Sequence, residues 1–331
     1  MDRFKVAIVG ATGLVGKTLI KVLKEEGLFD VCEIDLYASD KNYGKVIFYY
    51  GREFRIFRLT EKSVDRCYDV VFFCANEEVS KQWVSKFSEK GSFVIDNTNA
   101  FRKNEEVPLV VPEINFKKIT KKSKIISNPN CSTIELAVVL NSFLSVSKIN
   151  KVVVCTYQSV SGAGAKAVAD LDDGGKRVFP NGIKNNVVAQ IGAMDEFGNC
   201  SEENKIMFET NKILETSIDV VATTVRVPVK NCHTECVYVE FENEIILDDL
   251  KQSLKKDYLV FDENEVFVPT EVVDSNKTFV FRLRQIDKKR VCFVVLADNL
   301  RRGAAYNAVE IFKQLKKHDG FFGEKFDIRT K

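Results

Sequence analysis

The stretch Phe4-Lys5-Val6-Ala7-Ile8-Val9-Gly10-Ala11-Thr12-Gly13-Leu14-Val15-Gly16 decides the fold. Phe4–Val9 is an apolar run interrupted only by Lys5, the composition of a parallel strand buried on both faces. Gly10, Gly13 and Gly16 punctuate a turn, and a helical apolar pattern follows to about Glu26. Strand, glycine-rich turn and helix in this order cradle a dinucleotide pyrophosphate: the glycines let the backbone approach, and the helix N-terminus offers unpaired N–H groups. Strand-like runs recur at Val31–Tyr37, Asp69–Cys74 and Phe93–Asp96, with a helix expected over Glu78–Lys90. Strands alternating with helices predict a parallel, doubly wound sheet, hence an N-terminal α/β domain of the Rossmann dinucleotide-binding type.

The end of the second strand indicates the cofactor. NAD sites usually place an acidic residue there to bond the ribose hydroxyls. This strand ends in Ala38-Ser39-Asp40-Lys41-Asn42. Lys41 suits a 2′-phosphate, so NADP is expected over NAD. Asp40 opposes it by about 1 kcal/mol at ~4 Å in water. Lys41 offsets that repulsion, and the expected preference is narrower than an Arg at position 41 would give.

A second landmark is Ser127-Asn128-Pro129-Asn130-Cys131-Ser132-Thr133. Pro129 interrupts a short strand arriving from Lys124–Ile126, and Ser132–Leu144 has apolar residues at helical spacing. Cys131 therefore falls at a helix N-terminus, where unpaired N–H groups and the macrodipole favour the thiolate. The expectation is a reactive cysteine with a lowered thiol pKa.

Beyond this helix the texture changes. Val152–Val160, Val220–Val227, Glu235–Phe241, Thr278–Leu283 and Val291–Leu296 read as strands, and about Glu202–Thr216 as a charged helix. This predicts an α+β domain with a largely antiparallel sheet. The last pattern, Gly303–Lys317, is helical. Cys232-His233-Thr234-Glu235-Cys236 crowds its candidate ligands onto one strand entry, poor placement for a tetrahedral zinc site, so no metal is expected.

Composition narrows the partners. With 49 basic and 47 acidic residues the net charge is +2, which argues against a nucleic-acid or membrane-surface role. No apolar run approaches the roughly 20 residues of a membrane span. Met1–Lys5 leads directly into a strand, so no signal peptide is expected, and nine cysteines read as reduced thiols in a cytoplasmic protein.

Seven segments in order resemble aspartate-β-semialdehyde dehydrogenase over nearly the full length: Gly10–Gly16, Asp96–Arg102 with Val107–Asn115, Ser127–Thr133, Thr156–Ala165, Glu209–Leu214, Arg226–His233 and Asp298–Asn307. The resemblance implies an NADP-binding domain of residues 1–130 plus 300–331, and a catalytic and dimerisation domain of 131–299. It implies that L-aspartyl 4-phosphate is reduced to aspartate 4-semialdehyde with release of phosphate, on the route to lysine, methionine and threonine. Cys131 matches the nucleophile that forms a thioester, His233 the general acid/base and Gln158 the residue orienting the acyl intermediate. Arg226 matches the partner of the substrate carboxylate and Glu209 that of its amino group. Arg102, Asn130 and Lys212 match the phosphate site. Gly10, Thr12, Gly13, Leu14, Val15, Gly16, Ser39, Lys41, Asn42, Ser161, Gly162 and Asn299 match NADP contacts. A small-molecule substrate and a homodimer, or a dimer of dimers, are implied.

The competing readings are N-acetyl-γ-glutamyl-phosphate reductase, which shares the thioester chemistry, and a non-catalytic nucleotide-binding relative. The former typically shows Asn-Pro-Gly-Cys-Tyr where this chain has Asn128-Pro129-Asn130-Cys131-Ser132. Joint retention of Cys131, Gln158, Arg226 and His233 argues against the latter.

Overall fold

A computed structural model describes residues 3–318 and 320–322. Backbone contacts divide the chain into two units: the described residues up to Pro129 with those from Ala304 onward, and Asn130–Gly303. Asn130 and residues 300–303 thus group with the second unit. Of the C-terminal segment expected in the first domain, residue 319 and residues 323–331 lie outside the described residues.

The first unit holds a seven-stranded sheet in the order β3-β4-β2-β1-β5-β6-β7. Its strands are β1 (Phe4–Val9), β2 (Cys32–Tyr37), β3 (Val46–Tyr49), β4 (Arg52–Phe57), β5 (Val70–Phe73), β6 (Phe93–Asp96) and β7 (Ile125–Ser127). All pairings are parallel except β3 with β4. Alternation along β1 feeds two cores. Phe4, Val6 and Ile8 pack with Val309, Phe312 and Leu315 of the helix Tyr306–Lys317, while Ala7 and Val9 pack with Trp83, Val84 and Phe87 of the helix Glu77–Glu89. A sheet sandwiched in this way buries both faces, which is why its central strands read as nearly unbroken apolar runs. The β3–β4 hairpin had no counterpart in the sequence reading. It sets β4 beside β2, with Tyr37 opposite Phe57.

The second unit holds β8 (Ile149–Gln158), β9 (Asp219–Arg226), β10 (His233–Phe241), β11 (Leu259–Asp262), β12 (Thr278–Asp287) and β13 (Arg290–Ala297), in the order β11-β12-β13-β10-β8-β9. The three inner pairings are antiparallel and the two outer ones, β11–β12 and β8–β9, are parallel. The helix Cys131–Leu144 lies on this sheet, with Phe143 edge-on to Phe293. The helix Ser201–Leu214 packs against it and against β9. Among the described residues no helix is long and apolar enough to cross a membrane.

Candidate functional site

In the first unit, β1 delivers the chain into the glycine turn. Gly10 has φ +87°, and a Cβ there would stand 2.5 Å from the Cys74 carbonyl oxygen, so only glycine fits. A Cβ on Gly16 would stand 2.4 Å from the Gly10 oxygen, which fixes how closely the helix Leu14–Glu25 abuts the turn. No side chain caps that helix at Gly13, so its first N–H groups remain for an anion. Beside the turn is a cavity of about 430 Å³ whose lining includes Gly10, Thr12, Gly13, Ser39 and Asp40. Asn42 Nδ2 donates to Thr12 Oγ1 at 3.2 Å, tying the β2-end loop to the turn. Lys41 is exposed on a single 3-10 turn, Asp40–Asn42, and does not line this cavity. Arg102, also in this unit, is buried and donates through Nη2 to the Asn97 carbonyl at 2.8 Å.

In the second unit, Asn130 is the N-cap and Cys131 the first residue of its helix. The Cys131 Sγ lies 3.2 Å from His233 Nε2, at the first residue of β10. His233 is fully buried, and its Nδ1 accepts from the Ser159 N–H at 3.0 Å. An acceptor at Nδ1 puts the proton of the neutral ring on Nε2, facing the sulfur. The preceding residue, Cys232, has φ +74° and donates its N–H to Asn299 Oδ1 at 2.9 Å. Asn299 Oδ1 also accepts from Ser159 Oγ at 3.0 Å, and its Nδ2 donates to Ser161 Oγ at 3.0 Å. Of the residues expected at NADP, Asn299 and Ser161 are therefore organised around His233 here. Gly162 joins them: a Cβ on it would lie 3.0 Å from Arg226 Nη1 and 3.5 Å from His233 Nε2.

Arg226 is buried at the end of β9, in register with Gln158 at the end of β8, and donates through Nη1 to the Ser159 carbonyl at 2.7 Å. The Asn130 N–H donates to Glu209 Oε2 at 2.6 Å. Lys212, one turn beyond Glu209, is half-buried with its Nζ 6.0 Å from the Phe208 ring. Glu202 was not singled out from the sequence, yet it is central. Its Oε1 accepts from Asn130 Nδ2 at 2.7 Å and Gln158 Nε2 at 3.3 Å, and its Oε2 lies 3.0 Å from Lys205 Nζ. The readable signal was spacing, since Glu202 and Glu209 lie two helical turns apart on one buried face.

The electrostatics overturn two expectations. The Cys131 thiol is held well above its ordinary value, not below it. Burial is the main cause, Glu202 and Glu135 add to it, and Arg226 and the Ser132 N–H oppose it. Cys131 keeps partial access as a residue, but its sulfur sits among these groups, and one helix-terminal N–H does not offset lost water plus two carboxylates. His233, expected near neutrality, is pulled down to about 3 by burial first and by Arg226 second, against Glu202. Without substrate both groups are neutral near pH 7.

Comparison with known proteins agrees with this architecture. Residues 5–122 match the family described as semialdehyde dehydrogenase, NAD binding domain, and residues 141–302 its dimerisation domain. The aspartate-semialdehyde dehydrogenase of Aquifex aeolicus is 41% identical, covering 95% of this chain and 98% of that protein. The structure of aspartate semialdehyde dehydrogenase II complexed with ASA from Vibrio cholerae superposes with a TM-score of 0.91 at 34% identity, covering 97% and 100% of the two chains. That of the Candida albicans enzyme with NADP superposes with a TM-score of 0.77 at 25% identity, covering 95% and 98%.

Proposed function

The chain belongs to the aspartate-semialdehyde dehydrogenase family, and from that membership we propose how its residues divide the reaction. The activity is the NADPH-dependent reduction of L-aspartyl 4-phosphate to L-aspartate 4-semialdehyde with release of phosphate. The first unit binds NADP, and the second is the catalytic and dimerisation domain of a cytoplasmic homodimer or dimer of dimers. The glycine turn fits the dinucleotide, because its Gly10 leaves no room for a Cβ and its helix has no side-chain cap. Thr12, Leu14 and Val15 belong to that turn and helix start, and Ser39, Lys41 and Asn42 to the β2-end loop.

Cys131 Sγ attacks the acyl carbon, and the thiol proton departs with phosphate. In the second unit, Asn130 and Lys212 receive that phosphate. Arg226 pairs with the α-carboxylate, Glu209 with the amino group, and Gln158 orients the acyl group. When bound, the nicotinamide supplies the hydride that reduces the thioester. His233 donates its Nε2–H as a hydrogen bond to the sulfur and then to the negatively charged thiohemiacetal oxygen; that oxygen reforms the aldehyde C=O as the C–S bond breaks, and the Nε2–H faces the departing thiolate. A carboxylate on Arg226 cancels one of the charges that depress His233.

The observation that carries this reading is the 3.2 Å contact of Cys131 Sγ with a His233 ring whose other nitrogen is already committed to Ser159. The test is NADP reduction with aspartate semialdehyde and phosphate, set beside N-acetylglutamate semialdehyde. Turnover of the first and not the second is expected; the reverse preference rejects the assignment.

A further inference from the structure

Asp40 raises a problem for an NADP site, because its carboxylate stands where a 2′-phosphate is expected. The structure removes the problem with a residue outside the β2-end loop. Arg58 follows the last residue of β4, and the parallel β2–β4 pairing sets it beside Ala38 at the carboxyl end of the sheet, where ligands of doubly wound folds bind. Its Nε lies 2.8 Å from Asp40 Oδ1. Its guanidinium also lies over the Tyr43 ring, 5.3 Å from the centroid. Arg58 lines the cavity beside the glycine turn together with Asp40 and Ser39. It also lines an adjoining cavity of about 410 Å³. That second lining adds Lys62, Arg66, Thr60 and Ser63, and it contains no carboxylate. Lys41 lines neither cavity.

We propose that Arg58 is the residue that selects NADP: it neutralises Asp40 through Nε and presents its terminal nitrogens to the adenosine 2′-phosphate, which the adjoining cationic cavity receives. This rests on the NADP reading above and moves its determinant from Lys41 to a strand that pairs with β2. The chemistry suits arginine, because one planar fork can hold a carboxylate on one edge and a phosphate on another, which an ammonium point charge cannot. Arg66 is paired with Asp35 at 3.0 Å, so it supports the field of the cavity more than it contacts the ligand. The Asp40–Arg58 pair is largely exposed and contributes little to stability, which leaves it free to serve binding.

Isothermal titration with 2′,5′-ADP and with 5′-AMP isolates the 2′-phosphate from the rest of the cofactor. Arg58→Gln is expected to weaken 2′,5′-ADP about tenfold or more while leaving 5′-AMP within about twofold, because one charge-assisted contact is lost and Asp40 is released. Arg58→Lys should fall between wild type and Arg58→Gln. Adding Asp40→Ala to Arg58→Gln should recover part of the loss, since the freed repulsion is then removed. Lys41→Ala should cost 2′,5′-ADP less than Arg58→Gln does. A Lys41→Ala loss larger than that of Arg58→Gln, or a double variant no better than Arg58→Gln alone, overturns the proposal. A wild type that binds 5′-AMP and NAD as tightly as 2′,5′-ADP and NADP instead rejects the NADP reading beneath it.

Discussion

Glu135 sits one helical turn beyond Cys131 on the same helix face, and Glu235 two residues beyond His233 on the same strand face. The Cys131–His233 contact therefore brings the two carboxyls together as the next rung inward. Both are fully buried, and none of their four oxygens closes a hydrogen bond. The Ser132 hydroxyl leans toward Glu235 without closing one. Burial first, then the Glu235 and Asp298 charges, push the Glu135 carboxyl well above its usual range, with Arg302 opposing. Burial does the same to Glu235. The perturbation to make is Glu135→Gln, which keeps the shape and removes the titration. The sign follows from linkage. A carboxyl protonated in the fold and ionised when unfolded contributes stability that is intact below its unfolded pKa, near 4.5, and is lost as pH rises toward the folded value. Over that window each such group costs about 1.4 kcal/mol per pH unit. The variant should therefore gain on wild type by up to ~1.4 kcal/mol for each unit above pH 5. Denaturant unfolding followed by circular dichroism at pH 5.5, 6.5 and 7.5 reads this as a widening gap in midpoint. A gap that stays constant with pH refutes the reasoning and means that Glu135 is ionised against Arg302 throughout.

Other outcomes test the site itself. Cys131→Ala should abolish turnover with cofactor binding retained, checked by stopped assays beside NADP titration. Iodoacetamide labelling of wild-type Cys131 should keep accelerating above pH 8, because the thiol is raised; a plateau near pH 6–7 would restore the lowered-thiol expectation. Glu202→Gln should speed that labelling at fixed alkaline pH, since it removes one of the carboxylates that raise the thiol. Arg226→Leu should weaken substrate by roughly 2–5 kcal/mol in apparent affinity, and Arg226→Lys should also be impaired, both read from KM for aspartate semialdehyde. Arg102→Leu and Lys212→Leu should raise KM for phosphate more than for the semialdehyde.

How much of this was legible depended on whether the signal was local. The glycine turn is a short-range steric requirement, so Gly10–Gly16 announced the strand–turn–helix unit, and β1 formed over the expected Phe4–Val9. Cys131 was legible for the same reason, because Pro129 and the apolar spacing after it define a helix start within a few residues. What escaped were groups whose role is set by sheet register. Arg58 lies beyond a hairpin, Val46–Phe57, that alternates too loosely to stand out from its charged surroundings, and only the β2–β4 pairing brings it to Asp40. Ser159 acts through its backbone N–H, which no residue type reveals. The wrong sign on the Cys131 thiol has the same origin. A helix N-terminus is visible in sequence, whereas the two opposing carboxylates arrive from different places: Glu135 from the next turn of that helix, Glu202 from a helix more than seventy residues away. Their burial around one sulfur is a property of the folded second unit, and it sets a neutral thiol beside a neutral imidazole until substrate charges enter.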